Sequence, residues 1–171
     1  MAIAGLRWPE RGPERGPDRV NSANDSPVSR GHAIDRSVNS PIPYAHAIGV
    51  APGDIDFMGH VNNANYLNWV QEAVVAHWRS LAPAEAVAAH LWVALKHEIT
   101  YRRPTFLGDE VVATVLLEKV HGARATFETV IRRGEEVLAE VKSSWCCLDI
   151  ATMRPARIAQ EIVAKFFREP E

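Results

Sequence analysis

Cysteine and long apolar runs are both scarce in this sequence. Among 171 residues the only cysteines are Cys146 and Cys147, and adjacent residues of one strand point to opposite faces, which disfavours a disulfide between them. No segment approaches the roughly 20 apolar residues that span a bilayer, and residues 1–20 lack the uninterrupted apolar stretch of a secretory signal. We therefore expect a soluble, cytoplasmic protein with reduced thiols and no membrane partner.

The sequence also lacks an excess of charge of either sign. The formal net charge is only -2, with acidic and basic residues interspersed, so the long-range positive field of a general nucleic-acid-binding protein is missing. We expect no nucleic-acid partner. A chain of this length with 47% hydrophobic residues can bury one sizeable core, which predicts one domain rather than two.

Residues 1–42 differ in composition from the rest of the chain. Short repeats of Pro, an acid and Arg begin at Pro9, Pro13 and Pro17, and a stretch rich in Ser and Asn follows. This composition predicts a disordered N-terminal arm at 1–42, ahead of a folded domain at 43–168. The arginines suggest a transit peptide or an anion-binding arm, but the acids that accompany them favour a passive tail or an over-long start.

The globular part of the sequence predicts one strand, one long helix and then a sheet. Tyr44 to Val50 is a short predicted strand, and apolar residues at helical spacing predict a buried helix from Asn65 to Arg79. A short helix after Pro83 and a final helix from Pro155 to Phe167 are also predicted. Alternating apolar residues predict four further strands at Leu91 to Tyr101, Glu110 to Val120, Ala123 to Arg132 and Glu136 to Asp149. Short connections containing Gly make the last three strands an antiparallel meander, so the fold class is α+β with the sheet wrapped about the helix.

Polar residues are concentrated in the segment from Gly53 to Tyr66, just ahead of the long helix. It contains Asp54, Asp56, His60 and several asparagines, each of which alone is more often a turn, capping or packing residue. However, a helix N-terminus presents N–H groups without intrahelical partners and the positive end of the helix dipole. Such donors can stabilise the oxyanion that forms when a carbonyl is attacked, and an upstream carboxylate can act as nucleophile or general base.

This segment resembles the active-site signature of the 4-hydroxybenzoyl-CoA thioesterase-like family of hotdog proteins. The matching residues are Gly53-Asp-Ile-Asp-Phe-Met-Gly-His-Val-Asn-Asn-Ala-Asn-Tyr66, with Trp69 and Glu72 beyond them. The likeness continues at Ile99-Thr-Tyr-Arg-Arg-Pro104, Gly108-Asp109, Leu148-Asp149 and Thr152-Met-Arg-Pro155. It therefore covers about 44–167 and leaves the N-terminal arm outside.

The resemblance implies a hotdog fold and an acyl-CoA thioesterase that needs no cofactor and no metal. Within it, Asp56 corresponds to the catalytic carboxylate, Asn63 to the residue whose backbone N–H polarises the thioester carbonyl, and Asp54 to a structural partner. The residues expected to contact the substrate are Gly59, Val61, Asn62 and Tyr66. The carrier is expected to be coenzyme A, with an acyl carrier protein thioester as the alternative, and the acyl group stays open.

His60 joins the predicted catalytic residues through a second likeness. It matches a histidine of plant-type acyl carrier protein thioesterases, but Met58 and Pro104 stand where those enzymes have an asparagine and a carboxylate. That version of the mechanism is only partly supported. Glu72 is expected to pair with an arginine and His77 to pack.

Three other functions compete with thioester hydrolysis. A non-catalytic hotdog module that binds acyl-CoA would need only the pocket, because function resides in the site rather than the fold. A hotdog enoyl-thioester hydratase would also pair Asp with His, but Asp56 and His60 lack the usual spacing and the Asn-Pro between them. Chelation of a divalent metal by Asp54 and Asp56 is disfavoured, because no nucleotide-binding pattern accompanies them.

The resemblance also implies a homodimer or homotetramer whose active sites are shared between chains. The sequence supports this independently, because a long apolar strand such as Val111 to Val120 would leave an adhesive edge in a monomer. Arg102 and Arg103 are candidates for contact with coenzyme A phosphates, although their side chains must diverge in a strand. Cys146 and Cys147 are expected to be inert.

Overall fold

The computed structural model describes residues 40–168, and the order of the elements agrees with the predicted one. The strands are β1 (Tyr44–Gly49), β2 (His90–Tyr101), β3 (Glu110–His121), β4 (Arg124–Arg133) and β5 (Glu136–Asp149). The helices are α1 (Asn63–Leu81), α2 (Ala84–Ala89) and α3 (Gln160–Ala164), and a single 3-10 turn lies at Pro52–Asp54. Residues 1–39 of the predicted arm lie outside the described residues.

The five strands form one antiparallel sheet in the order β1-β3-β4-β5-β2. The predicted meander is confirmed, because β3 pairs with β4 and β4 with β5 through short turns. At the first turn Gly122 adopts a φ of 63°, a left-handed conformation that glycine tolerates without strain. β2 precedes the meander in sequence but pairs with β5 at the far edge, with Ile99 opposite Val141.

The long helix α1 packs on one face of the sheet and provides much of the core. The seven residues that it buries recur mainly at spacings of three and four: Tyr66, Trp69, Val70, Ala73, Val74, His77 and Trp78. Val70 and Val74 have no exposed surface, so burial of each side chain contributes roughly 1.5–3 kcal/mol. This arrangement confirms the predicted α+β hotdog architecture.

The start of α1 and the extent of the final helix both differ from the predicted bounds. α1 begins at Asn63 rather than Asn65, because the Asn62 side chain accepts a hydrogen bond from the N–H of Ala64 (2.9 Å) and caps the helix there. The final helix is only five residues long instead of extending from Pro155 to Phe167. Pro155, where the helix was predicted to begin, instead forms an antiparallel β-bridge with Leu148 at the end of β5.

Among residues 40–168 the outer strands of the sheet are β1 and β2, so the expectation that Val111 to Val120 forms an exposed edge is wrong for Val111 to Val115, whereas Leu116 to Val120 extend beyond the end of β1. β1 pairs with the first half of β3, from Glu110 to Val115, and β4 covers its other side. The physical reason is the chain path: after β1 the chain runs through α1 to β2 at the opposite edge of the sheet, and only then returns to place β3 beside β1. In the part of the chain that the structure describes, the longer outer strand is therefore β2, which has twelve residues and no strand on its outer side.

The ends of the described chain are tied together. The N–H of Ile42 donates to the carbonyl of Phe166 (2.8 Å), and that of Arg168 donates to Ser40 (2.8 Å). Residues 40–42 of the predicted arm thus contact the C-terminal segment. Within the described part of the chain, no helix has both the length and the apolar character needed to cross a membrane.

Candidate active site

The loop before α1 folds into a tight turn that holds Asp56 at its base. The N–H of Asp56 donates to the carbonyl of His60 (2.9 Å), and the N–H of Gly59 donates back to Asp56 (3.0 Å). Gly59 has a φ of 81°, which a side chain would disfavour. The turn projects Phe57 and Met58 outward, with 96% and 60% of their surfaces exposed.

The Asp56 carboxylate is held at one oxygen and free at the other. Oδ1 accepts a hydrogen bond from the N–H of Met58 (2.8 Å). Oδ2 lies 3.9 Å from Nδ1 of His60, beyond hydrogen-bond distance, and that nitrogen is 3.2 Å from the carbonyl of Val61. The side chain is only 13% exposed. Asp56 is therefore positioned by the backbone but keeps one oxygen available for chemistry.

The start of α1 presents an unused N–H donor beside this loop. The cap by Asn62 uses the N–H of Ala64, and the N–H of Asn65 donates to the carbonyl of Asn62 (2.9 Å). The N–H of Asn63 has no acceptor among residues 40–168, and Asn62 and Asn63 are both exposed. The dipole of a helix of 19 residues adds positive potential at this point. An incoming carbonyl oxygen could be bound here.

Asp54 differs from Asp56 because both of its carboxylate oxygens are engaged. Oδ2 accepts from the N–H of Ala51 (2.8 Å), and Oδ1 accepts from the side-chain amide of Asn65 (3.1 Å). The carbonyl of Asp54 also accepts from the N–H of Asn62 (2.8 Å). The bonds with Asn65 and Asn62 join the loop to the start of α1, which agrees with the structural role predicted for Asp54.

Two of the predicted substrate-binding residues are buried beneath the site. Val61 is 1% exposed and Tyr66 is 2% exposed. Burial raises the pKa of the Tyr66 hydroxyl, which shares a hydrogen bond of 2.8 Å with Oγ1 of Thr105. Gly59 and Asn62 lie at the surface. Direct contact of these four residues with substrate stays a prediction.

Two residues hold the start of the helix: Thr105, which the sequence did not single out, and Tyr101, which entered only as part of the likeness at Ile99 to Pro104. The carbonyl of Thr105 accepts from the N–H of Val61 (2.8 Å), and the hydroxyl of Tyr101 donates to the carbonyl of Asn63 (2.9 Å). Tyr101 lies 38 positions after its partner Asn63, and Thr105 lies 39 positions after its partner Tyr66. No local pattern identifies such contacts, because they depend on where the end of β2 lies relative to α1.

Among residues 40–168, no hydrogen bond or ion pair joins Glu72, Arg102 or Arg103 to Asp56. Glu72 is exposed and pairs with no arginine among residues 40–168, so the ion pair expected for it is not found in that part of the chain. It lines a polar cavity of about 270 Å³ between the end of β1 and α1, together with Asp54, Asn65 and Asn68.

Arg102 and Arg103 diverge as expected and pair with Glu140 and Glu136, respectively.

The two cysteines are free. Cys147 is fully buried, and burial raises the pKa of its thiol to about 11, which agrees with inert packing. Among residues 40–168, no cluster of three or more His, Cys, Asp or Glu side chains is arranged to hold a metal ion.

An antiparallel sheet around one long helix, with a carboxylate loop at the start of that helix, defines the hotdog class of proteins. The chain belongs to the thioesterase-like superfamily, whose sequence model matches residues 50–166. It is therefore a thioester hydrolase, as the motif predicted, and this match favours hydrolysis over the hydratase and the non-catalytic binding module.

Individual relatives agree with this assignment. The chain is 30% identical over 118 residues to the long-chain acyl-CoA thioesterase FadM of Escherichia coli (strain K12), which covers 65% of this chain and 87% of FadM. It is 26% identical to a thioesterase from Thermus thermophilus in complex with coenzyme A and Zn, with a TM-score of 0.63 over 71% of this chain and 95% of that one. A 1,4-dihydroxy-2-naphthoyl-CoA thioesterase from Synechocystis has the same fold at 18% identity, with a TM-score of 0.60 over 72% and 95% of the two chains.

Proposed function

We propose that this protein hydrolyses acyl-CoA thioesters at the junction between the Asp56 loop and α1. The observation that carries the proposal is that two groups of one loop-to-helix junction have no hydrogen-bond partner among residues 40–168: Oδ2 of Asp56 and the N–H of Asn63. A thioester whose carbonyl oxygen accepts from Asn63 would present its carbon for attack from the side of the carboxylate. Similarity to FadM and to a thioesterase that binds coenzyme A supports this substrate class.

Two chemical roles of Asp56 fit this arrangement. As a nucleophile, Oδ2 attacks the carbonyl carbon, the C–S bond breaks to release the thiolate, and water then hydrolyses the acyl-enzyme anhydride. As a general base, Asp56 takes a proton from water, which attacks the same carbon and expels the thiolate. In both cases negative charge develops on the carbonyl oxygen, where the Asn63 N–H would stabilise it. His60, 3.9 Å from the carboxylate, would orient the loop or the substrate.

One turnover in water enriched in oxygen-18 tests the nucleophilic role. If Asp56 is the nucleophile and water attacks the side-chain carbonyl carbon of Asp56, the label enters that side chain, and mass spectrometry of the digested protein detects it. Label in the free acid alone fits both a general base and attack of water at the acyl carbon of the anhydride, so rapid quenching and mass spectrometry for an acyl group on Asp56 then separate these two routes.

Substitution of Asp56 by Asn tests the assignment itself. The amide keeps the shape and can still accept from Met58, but it removes the basic and nucleophilic oxygen. We expect kcat to fall by a factor on the order of 10² to 10⁴, with the circular dichroism and thermal unfolding of the variant unchanged. Glu118→Gln, the same chemical change at an exposed position of β3, serves as the control. Retention of most of the turnover by Asp56→Asn would contradict the proposal.

We infer that the acyl group is long and apolar and that coenzyme A is its carrier. Phe57, Met58 and Leu107 expose 96%, 60% and 56% of their surfaces near the loop, and the similarity to a long-chain enzyme points the same way. A hydrolysis panel of short, aromatic and long acyl groups on coenzyme A and on acyl carrier protein tests both points. The highest kcat/KM is expected for long-chain acyl-CoA, and a preference for the acyl carrier protein series would contradict the choice of carrier.

We also infer that the working unit is a homodimer, or a homotetramer built from such dimers, with each active site completed by a second chain. The unpaired edge of β2 and the exposed Phe57 next to Asp56 support this inference, because a long open edge and a fully exposed aromatic are both unfavourable in a monomer. The cytoplasmic location stays a prediction.

A further inference from the structure

One short stretch of chain, the end of β2 and the loop after it, contacts the start of α1 at three points. The carbonyl of Thr105 accepts from the N–H of Val61, the hydroxyl of Tyr101 donates to Asn63, and Oγ1 of Thr105 bonds the hydroxyl of Tyr66. The contacts fall two residues before Asn63, at Asn63 itself and three residues after it. Asn63, the proposed oxyanion donor, is therefore held by contacts before it, at it and after it, all from the same stretch of chain.

Thr105 makes two of these three contacts from a fully buried position. It is 0% exposed and its partner Tyr66 is 2% exposed. Its backbone carbonyl binds the end of the Asp56 loop, whereas its hydroxyl binds the helix. A buried Tyr66 hydroxyl without this partner would remain desolvated and unpaired, so the bond fixes the position of the Tyr66 ring and with it the first turn of α1.

The position of Thr105 is set by the sheet and not by the helix. The N–H groups of Arg102 and Arg103 donate to the carbonyl of Leu138 in β5 (2.8 and 3.2 Å). On the other side, the N–H of Phe106 donates to the Asp109 carboxylate (2.8 Å), which also pairs with Arg133. Thr105 is thus a fixed point to which both the Asp56 loop and α1 are attached.

We propose that Thr105 is a positioning residue for thioester hydrolysis, which holds the Asp56 carboxylate and the Asn63 N–H at the separation that the reaction needs. This inference rests on the proposed function of those two groups. Thr105 does not touch substrate; it acts through Val61 and Tyr66. Displacement of a reacting group by about 1 Å can lower a rate by roughly a hundredfold, so a small shift of α1 against the loop would be visible in kcat.

The matched pair Thr105→Val and Thr105→Ser tests the hydroxyl alone. Valine keeps the shape and the backbone carbonyl but removes Oγ1, and we expect kcat to fall roughly ten- to a hundredfold. KM should change by less than about twofold, because substrate contacts are intact. Serine restores the hydroxyl and should recover most of kcat. A role in stability alone would lower the melting temperature of Thr105→Val and leave kcat unchanged, and that result would overturn the proposal.

Thr129→Val provides a control of the same chemistry. Thr129 is also 0% exposed, and its hydroxyl has no partner among the described residues, so kcat should stay at the wild-type value. In the double variant with Tyr66→Phe, both partners of the bond are removed, and the loss in kcat should be smaller than the product of the two single losses. Multiplicative losses would contradict action through Tyr66.

Asp56→Asn, measured in the same series, separates failure of this inference from failure of the proposed function. If Asp56→Asn is inactive and Thr105→Val has full kcat, only the role of Thr105 is wrong. If Asp56→Asn is active, the site itself is misassigned, and the inference fails with it.

Discussion

Two aspartates separated by one residue acquire different properties from their hydrogen bonds. Asp54 has both carboxylate oxygens engaged, one by the N–H of Ala51 and one by the side chain of Asn65 in α1, whereas Asp56 keeps Oδ2 free. Replacement of either would remove one negative charge, but only the loss of Asp56 removes the oxygen that we propose to be reactive. At the scale of single residues, the number of hydrogen-bond partners thus distinguishes Asp54 from the proposed catalytic carboxylate.

His77 is a second residue whose surroundings decide its behaviour. It is fully buried, its ring stacks on Tyr44 at 5.4 Å, and Phe166 meets it edge-on at 5.1 Å. Neither ring nitrogen has a partner within the described residues. Burial lowers the pKa of His77 from 6.5 to about 4, so the folded protein holds a neutral imidazole.

This lowered pKa predicts a loss of stability in mild acid. Below pH 6.5 the unfolded chain binds a proton at His77, whereas the folded protein does so only near pH 4. The free energy of unfolding should therefore fall as pH decreases from 6.5 to 4, by at most about 3 kcal/mol from this residue. Denaturant titrations of the wild type and His77→Phe across this range measure it. The variant should lose less stability than the wild type, and parallel pH dependences would contradict the prediction.

At the scale of elements, the junction before α1 combines a capping residue with the proposed oxyanion donor. Asn62 caps the helix through its side chain, and the next residue, Asn63, supplies the free N–H. The hydrogen bond from the N–H of Ala64 to Asn62 therefore stabilises α1 and, at the same time, orients the N–H of Asn63. Loss of the cap should affect both.

Asn62→Ala and Asn62→Ser test this coupling. Alanine cannot accept from the N–H of Ala64, so we expect the free energy of unfolding to decrease by about 1 kcal/mol and kcat to decrease with it. Serine is an equally common cap and should preserve most of both. Thermal unfolding and steady-state kinetics of the two variants provide the measurement. Full activity of Asn62→Ala would mean that the cap does not position the donor.

At the scale of the whole molecule, the sheet order places β2 at an open edge. Its outward-facing side chains Leu91, Val93 and Leu95 are 38%, 43% and 50% exposed, and its outer backbone groups have no neighbouring strand within the described residues. The antiparallel pairing of two such edges by a two-fold axis would join two sheets into one. It would also bring side chains of the two β2 strands next to each other.

The combined substitution Val93→Glu and Leu95→Glu should therefore weaken the dimer. Like charges brought together across paired strands are unfavourable, whereas the wild type should scatter light as a multiple of the 19.0 kDa chain. Val112→Glu is the matched control, since Val112 is 38% exposed but lies on interior strand β3 opposite Arg132. A wild-type protein that stays active at the mass of one chain would contradict the dimer.

The sequence by itself determined the elements and the position of the loop. Apolar periodicity placed α1 and β5 within a few residues of their observed bounds, because side-chain spacing reflects local geometry directly. The likeness around Asp56 and His60 pointed to the correct superfamily. The errors lay at element ends, where capping by Asn62 and the bridge at Pro155 depend on single hydrogen bonds.

Only the tertiary structure decided which strand is the open edge and which residues support the site. β3 is covered by β1, a pairing between segments far apart in sequence, so its alternating pattern could not reveal whether it was interior. Thr105 and Tyr101 reach α1 across about forty residues. A hydrogen bond between residues so far apart in sequence produces no periodic pattern or motif, because it depends on how the sheet packs against the helix.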